Sequence, residues 1–283
     1  MGLLSRLGLR LAHRWVAGEN LVDAVKQVRV LNMKGQGAIL NIMGENLTAV
    51  NIVKQHVAQY LELINTITQE RLDACVSLKL TQLGLDLSKG LLISNLQEVL
   101  RFASEKDIFV WFDMESSAYT DTTIETYLEF LQRFKGLGLA IQAHLKRTDV
   151  DLKRILDSGG IVRLVKGAYD EPQDIAYKSR DEVQERYSQL MRVLFENGTH
   201  FAVATHDDKL CQEAIELSVK YGRRPEFQFL MGIGNSLKES LVKEEYRVLD
   251  YVPYGRNWLP YTYRRFREKP SNVFLLFRSI IEV

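Results

Sequence analysis

"ACVSLKL", residues 74–80, sets the reading of the whole chain. Successive side chains of a strand point to opposite faces, so Val76, Leu78 and Leu80 share one face while Cys75, Ser77 and Lys79 share the other. In a parallel barrel the apolar set meets the covering helices, and Lys79 then points inward near the strand's carboxyl end. Seven further short runs accompany it: "AILNI" from Ala38, "IFVWFD" from Ile108, "LAIQAHL" from Leu139, "IVRLVK" from Ile161, "FAVAT" from Phe201, "EFQFL" from Glu226 and "YRVLDYV" from Tyr246. Stretches of helical period separate them, such as "NIVKQHVAQYLELINTITQERL" from Asn51 and "YKSRDEVQERYSQLMRVLFENG" from Tyr177. Eight strand–helix units joined by short turns predict an α/β fold, a closed (βα)8 TIM-type barrel. A doubly wound open sheet is the alternative, but "NIMGEN" after the first strand lacks its glycine fingerprint.

The same alternation turns Asp113, Gln142, Arg163 and Gln228 inward with Lys79, toward the carboxyl ends of five strands. A buried polar group without a partner costs roughly 1–3 kcal/mol, so these groups must satisfy one another or a ligand. All the βα loops meet at that end, and the pattern reads as an active site. Lys166, Arg264 and Arg265 join Lys79 and Arg163 there, against Asp113, Glu45 and Glu268. Cations in excess suit an anionic substrate or cofactor. In "WLPYTYRRFREKP", residues 258–270, Tyr261, Arg264, Arg265 and Glu268 form one polar helical stripe. It is expected to lie over the barrel mouth and grip a small carboxylate, which guanidinium forks bind in pairs. The alternative is a surface helix whose Arg and Glu pair with each other.

A chain of 283 residues with 46% apolar content holds a full core and is normal for one α/β barrel. The formal net charge of +1 gives no field for nucleic acid, and a small ligand is the better default. Cys75 and Cys211 form neither a metal spacing nor a disulfide framework, which fits a reducing cytoplasm. No stretch approaches the length of a transmembrane helix. Residues 1–20 read as a separate amphipathic helix, with Arg6, Arg10 and Arg14 beside Leu4, Leu7, Leu11 and Trp15. Such a helix packs on the barrel floor or rests peripherally on the inner face of the cell membrane. It also has the Arg-bearing, acid-poor look of a short transit peptide, with no evident cleavage site. Residues 21–283 form the single barrel domain.

Five motifs, "FDMES" (112–116), "VRLVKGAY" (162–169), "ATHD" (204–207), "FQFLMGIG" (227–234) and "YTYRRFRE" (261–268), together resemble proline dehydrogenase of the small monofunctional bacterial type. The resemblance runs in order over nearly the whole chain. It implies an FAD-dependent barrel with its last helix over the carboxyl ends of the strands. The implied reaction oxidises L-proline to 1-pyrroline-5-carboxylate, the first step of proline catabolism to glutamate. A membrane quinone takes the electrons, and a pyrroline-5-carboxylate dehydrogenase acts downstream. By motif, Arg264 and Arg265 bind the substrate carboxylate with Lys79 as third cation, Tyr261 packs on the ring, and Glu45 gates by pairing with Arg264. Asp113 and Tyr251 complete the pocket wall, and Glu268 steadies the guanidiniums. Gln142, Arg163, Val165, Lys166, Gly167 and Ala168 match flavin positions; Thr205, His206, Gln228 and Leu230 fall near the dinucleotide, and Tyr169 shapes the floor. No metal is implied. Three departures stand out: Asp207 where Asn is frequent, Asp170-Glu171-Pro172 where an aromatic is common, and Asn41 in place of Asp. Hydroxyproline as substrate and a Schiff-base aldolase using Lys79 or Lys166 are the competing readings.

Overall fold

The computed structural model describes residues 15–256. Within them eight parallel strands close into a barrel in sequence order. They are β1 (Gly37–Ile42), β2 (Ala74–Leu78), β3 (Val110–Phe112), β4 (Leu137–Gln142), β5 (Ile161–Val165), β6 (Phe201–Ala204), β7 (Glu226–Leu230) and β8 (Arg247–Tyr254). Closure comes from β8 pairing with β1, from Gly37 opposite Leu249 to Ile42 opposite Tyr254. The described α-helices are α1 (Leu21–Met33), α2 (Val50–Gln69), α3 (Lys89–Glu105), α4 (Ser117–Leu131), α5 (Thr148–Asp157), α6 (Arg180–Asn197), α7 (Asp208–Tyr221) and α8 (Asn235–Lys243), with a 3-10 turn at Leu80–Leu83. Local chemistry fixes several starts. Ser88 caps α3 by accepting from Leu91 N, Ser179 and Glu182 cap α6 reciprocally, and Asp207 caps α7.

Two apolar layers follow from the strand alternation. Outward residues such as Leu40, Val76, Phe112, Leu139, Leu164 and Val203 join the helices in the main core. Inward residues Ile39, Cys75, Trp111, Ala202 and Leu249 plug the barrel floor. Gly138 is needed beside that plug, because a Cβ there would lie 2.4 Å from the Trp111 ring. Above the plug the inward positions become polar.

The expected strands are all present, with shifted ends. "LAIQAHL" begins two residues early at Leu137 and stops at Gln142, where Leu145 N donates back to Gln142 O and turns the chain. "ACVSLKL" stops at Leu78, since Lys79 becomes the cap of the 3-10 turn. Residues 15–20 differ in kind: they are not helical. Gly18 at φ +127° breaks any helix, Ala17 N donates to Pro253 O, and Asn20 caps α1. This segment runs beside the carboxyl end of β8, at the mouth and not the floor. The reason is topological, since α1 must descend from mouth to floor to feed β1. Residues 1–14 of the expected helix, and all of the Trp258–Pro270 helix, lie outside the described residues.

Candidate active site

Asp113, just past β3, is the hub of the mouth. One carboxylate oxygen accepts from Ser77 Oγ at 2.6 Å and from Arg163 Nη2; the other accepts from Lys79 Nζ at 2.7 Å and Tyr251 Oη at 2.6 Å. Four strands, β2, β3, β5 and β8, thus tie into one knot. Its charged members are buried: Lys79 is 4%, Asp113 8% and Arg163 3% exposed. Burial alone would push the Asp113 carboxyl up, but the Lys79 and Arg163 charges and the Lys79 and Ser77 hydrogen bonds hold it well below the usual carboxylate range. Asp113 is therefore an anion saturated with donors, poorly suited to take a proton. Within this knot two described cations, Lys79 and Arg163, meet one carboxylate, and the Lys79 charge also acts on the nearby Glu115.

The guanidinium of Arg163 lies over the Trp111 ring, 5.1 Å from its centroid, with Tyr251 at 5.8 Å. Among the described residues only its Nη2 makes hydrogen bonds. Arg163 Nε and Nη1, Gln228 Oε1 and Asn41 Oδ1 are buried with no partner among the described residues. Each such atom costs roughly 1–3 kcal/mol unless a ligand meets it. Asn41, the departure on β1, spends its amide nitrogen on Ser77 O at 2.9 Å.

A second half of the mouth lies over β5–β7. Gly167 has φ +104°, and a Cβ there would sit 1.4 Å from His144 Nδ1, so only glycine lets this backbone lie against the ring. Lys166 Nζ pairs with Asp207 at 2.7 Å, and Asp207 also caps α7 through Lys209 N. Although burial works against it, this lysine holds the Asp207 carboxyl below its ordinary value. The departure at Asp207 is thus a helix cap and a partner for Lys166. Thr205 is buried and accepts from Asp207 N; His206 Nε2 accepts from Leu230 N at 2.8 Å, which leaves Nδ1 as its N–H. Val165, Ala168 and Tyr169 are half-buried, and Leu230 is exposed at the rim.

The structure brings Lys79, Asp113, Tyr251, Gln142, Arg163 and Gln228 into the upper barrel, with Val165, Lys166, Gly167, Ala168, Thr205, His206 and Leu230 around its rim. Glu45 is half-buried in the loop after β1. Tyr261, Arg264, Arg265 and Glu268 lie outside the described residues. Two inner residues escaped the sequence reading. Ser77 was visible as inward-facing but not as a donor to Asp113. Glu115, two residues past Asp113, is 2% exposed and accepts from Thr81 N and Thr81 Oγ1, while its carbonyl accepts from Gln142 Nε2 at 2.9 Å. Burial pushes its carboxyl up to about 7 against those hydrogen bonds. Strand alternation says nothing of it, because it stands in a loop.

A closed barrel with a buried, charged knot toward the carboxyl ends of its strands is the architecture of a barrel enzyme whose site lies at that end. The model of the family "Proline dehydrogenase" matches residues 24–275. Proline dehydrogenase 1 of Bacillus subtilis subsp. natto is 36% identical over 98% of this chain and 92% of its own length. Proline dehydrogenase of Deinococcus radiodurans is 30% identical over 96% and 90%. Among solved structures, proline utilization A (PutA) from Bdellovibrio bacteriovorus, inactivated by N-propargylglycine, superposes with a TM-score of 0.86 at 23% identity. That match covers 95% of this chain and 33% of the longer one, so it speaks for the fold alone. The chain belongs to the proline dehydrogenase family, oxidoreductases of proline catabolism.

Proposed function

We propose that this chain oxidises L-proline to 1-pyrroline-5-carboxylate with FAD as its cofactor and passes the electrons to a membrane quinone. The observation that carries the reading is the buried Asp113 knot with Arg163 in it, whose Nε and Nη1 are unpartnered among the described residues. The residues present fit a flavin. Arg163 offers donors to the polar ring, and Gln228 Oε1 offers an acceptor. Val165, Lys166, Ala168, Thr205, His206 and Leu230 complete the rim, with Gln142 holding it to the loop after β3. When bound, FAD supplies the acceptor for the two electrons that leave the ring carbon beside nitrogen.

On the substrate side Lys79 meets the carboxylate together with Arg264 and Arg265, while Tyr251 walls the pocket and Tyr261 packs on the pyrrolidine ring. Glu45, in its pairing with Arg264, gates entry, and Glu268 holds the guanidiniums. The cations favour the neutral amine of proline, whose lone pair supports the developing iminium, because like charge penalises the ammonium. Asp113, already accepting four donors, holds Lys79 and Arg163 in place, and the amine proton leaves to solvent. A Schiff-base role for Lys79 is poorly supported, since that chemistry needs a neutral amine and Lys79 pairs with a carboxylate held strongly anionic. A pyrroline-5-carboxylate dehydrogenase would consume the product. The quinone, being membrane-bound, calls for peripheral contact of this cytoplasmic protein with the inner face of the cell membrane; among the described residues no helix is long and apolar enough to cross it.

The test is one cuvette. The purified protein should be yellow, and anaerobic L-proline should bleach it, whereas hydroxyproline should bleach it far more slowly. A colourless protein that still consumed proline would overturn the flavin assignment.

A further inference from the structure

Glu226 opens β7 with its side chain inside the barrel, one inward position below Gln228. Its Oε1 accepts from Gln228 Nε2 at 2.6 Å. An ionised carboxylate only accepts, so it decides which end of the neighbouring amide turns toward it. The nitrogen and oxygen of a planar amide point apart. With its nitrogen held from the floor, Gln228 turns its oxygen away, where it is buried without a partner among the described residues.

The charged surroundings of Glu226 come from four other elements. Burial pushes its carboxyl up, while the Gln228 hydrogen bond and the charges of His200, Arg247 on β8 and Arg163 on β5 oppose that rise. Arg247 is in turn held by both oxygens of Asp73 beside β2, and Cys75 on β2 lies close by. The cations around Glu226 support its role as an acceptor.

We propose that Glu226 is a positioning residue for the cofactor site, fixing the Gln228 amide so that its oxygen is presented to the isoalloxazine as an acceptor. This rests on the flavin reading above. An oxidised isoalloxazine carries a single ring N–H between two carbonyls, so an acceptor and a donor at one position select different atoms of it. Arg163 already supplies donors; Gln228, held by Glu226, supplies the acceptor. Released from Glu226, the amide is free to turn over and offer its NH2 to a ring carbonyl instead.

The holoenzymes of Glu226→Ala, Gln228→Ala and the double variant distinguish this from a packing role. FAD retention on dilution should fall about 5-fold in Glu226→Ala, the worth of one neutral hydrogen bond. The flavin midpoint potential should rise, because the freed NH2 stabilises a carbonyl that gains charge on reduction. The KM for proline should not move. Glu226→Gln, whose amide oxygen still accepts, should restore parental retention and potential. Adding Glu226→Ala to Gln228→Ala should change neither further, since the carboxylate acts through that amide. Glu226→Met, which fills the volume without an acceptor, carries the same expectation if the alanine variant proves unstable. Parental retention and potential in a folded, yellow Glu226→Ala or Glu226→Met would overturn the proposal, as would losses in the double variant that simply add. A parent protein unable to take up FAD would instead bring down the flavin reading beneath it.

Discussion

Two buried ion clusters share strand β8 and differ in what they leave over. On its outer face Asp250 pairs with Lys238 of α8, whose Nζ lies 3.0 and 2.8 Å from the two carboxylate oxygens, and each partner is 1% exposed. Charge is balanced there, and neither side chain holds an unpartnered polar atom among the described residues. On the inner face Tyr251 reaches the Asp113 knot, where Lys79 and Arg163 meet one carboxylate and two atoms of Arg163 have no partner among the described residues. Burial and pairing are common to both, so neither marks a site. What separates them is the hydrogen-bonding capacity left over among the described residues, which a ligand can use.

The comparison breaks most visibly at Asp113. Asp113→Ala leaves Lys79 and Arg163 facing each other without their anion, and removing one partner of a buried pair costs about 3–5 kcal/mol. We expect kcat/KM for L-proline to fall on the order of 1,000-fold, with a parallel loss of stability of that size. Steady-state kinetics and denaturant melts check the two halves; parental kcat/KM would mean that the knot is not where the substrate binds.

The outer cluster should respond differently. Lys238→Met alone strands Asp250 and should cost about 3 kcal/mol, whereas Lys238→Met with Asp250→Leu should recover to within about 1 kcal/mol of the parent. The double variant should keep parental kcat for proline. A double variant that refolds but loses activity would make this pair part of the catalytic machinery and erase the contrast drawn above.

Alternation carried the sequence reading far. Lys79, Arg163, Gln142 and Gln228 are inward because period-2 strands leave them no other face once the apolar residues meet the helices. The fold needed only that pattern repeated eight times with helices between. What alternation cannot carry is pairing between strands distant in sequence. Ser77 and Arg163 are 86 residues apart yet both meet one oxygen of Asp113. Loop residues were equally hidden. Glu171 accepts from Ser117 N and so caps α4 from another loop, a role for which no local sequence signal exists. Gly18 did offer a signal, as a helix breaker ahead of the capping Asn20, and the helix expected over residues 1–20 passed over it.

Glu115 supplies the finest test, being a third buried carboxylate whose donors among the described residues are the neutral N–H and hydroxyl of Thr81, with the Lys79 charge acting on it only from a distance. With its carboxyl raised from 4.5 to about 7, the native state holds the proton more tightly than the unfolded chain does. Its stabilising contribution is therefore complete below about pH 4.5 and is lost as pH rises toward 7, after which the penalty is constant. Glu115→Gln keeps a similar shape and hydrogen-bonding capacity without the ionisation. The stability of that variant relative to the parent should climb between these pH values and then level off, a difference on the order of 2 kcal/mol by urea melts at stepped pH. A flat difference would place Glu115 under the cations of the knot after all, ionised across the whole range like Asp113.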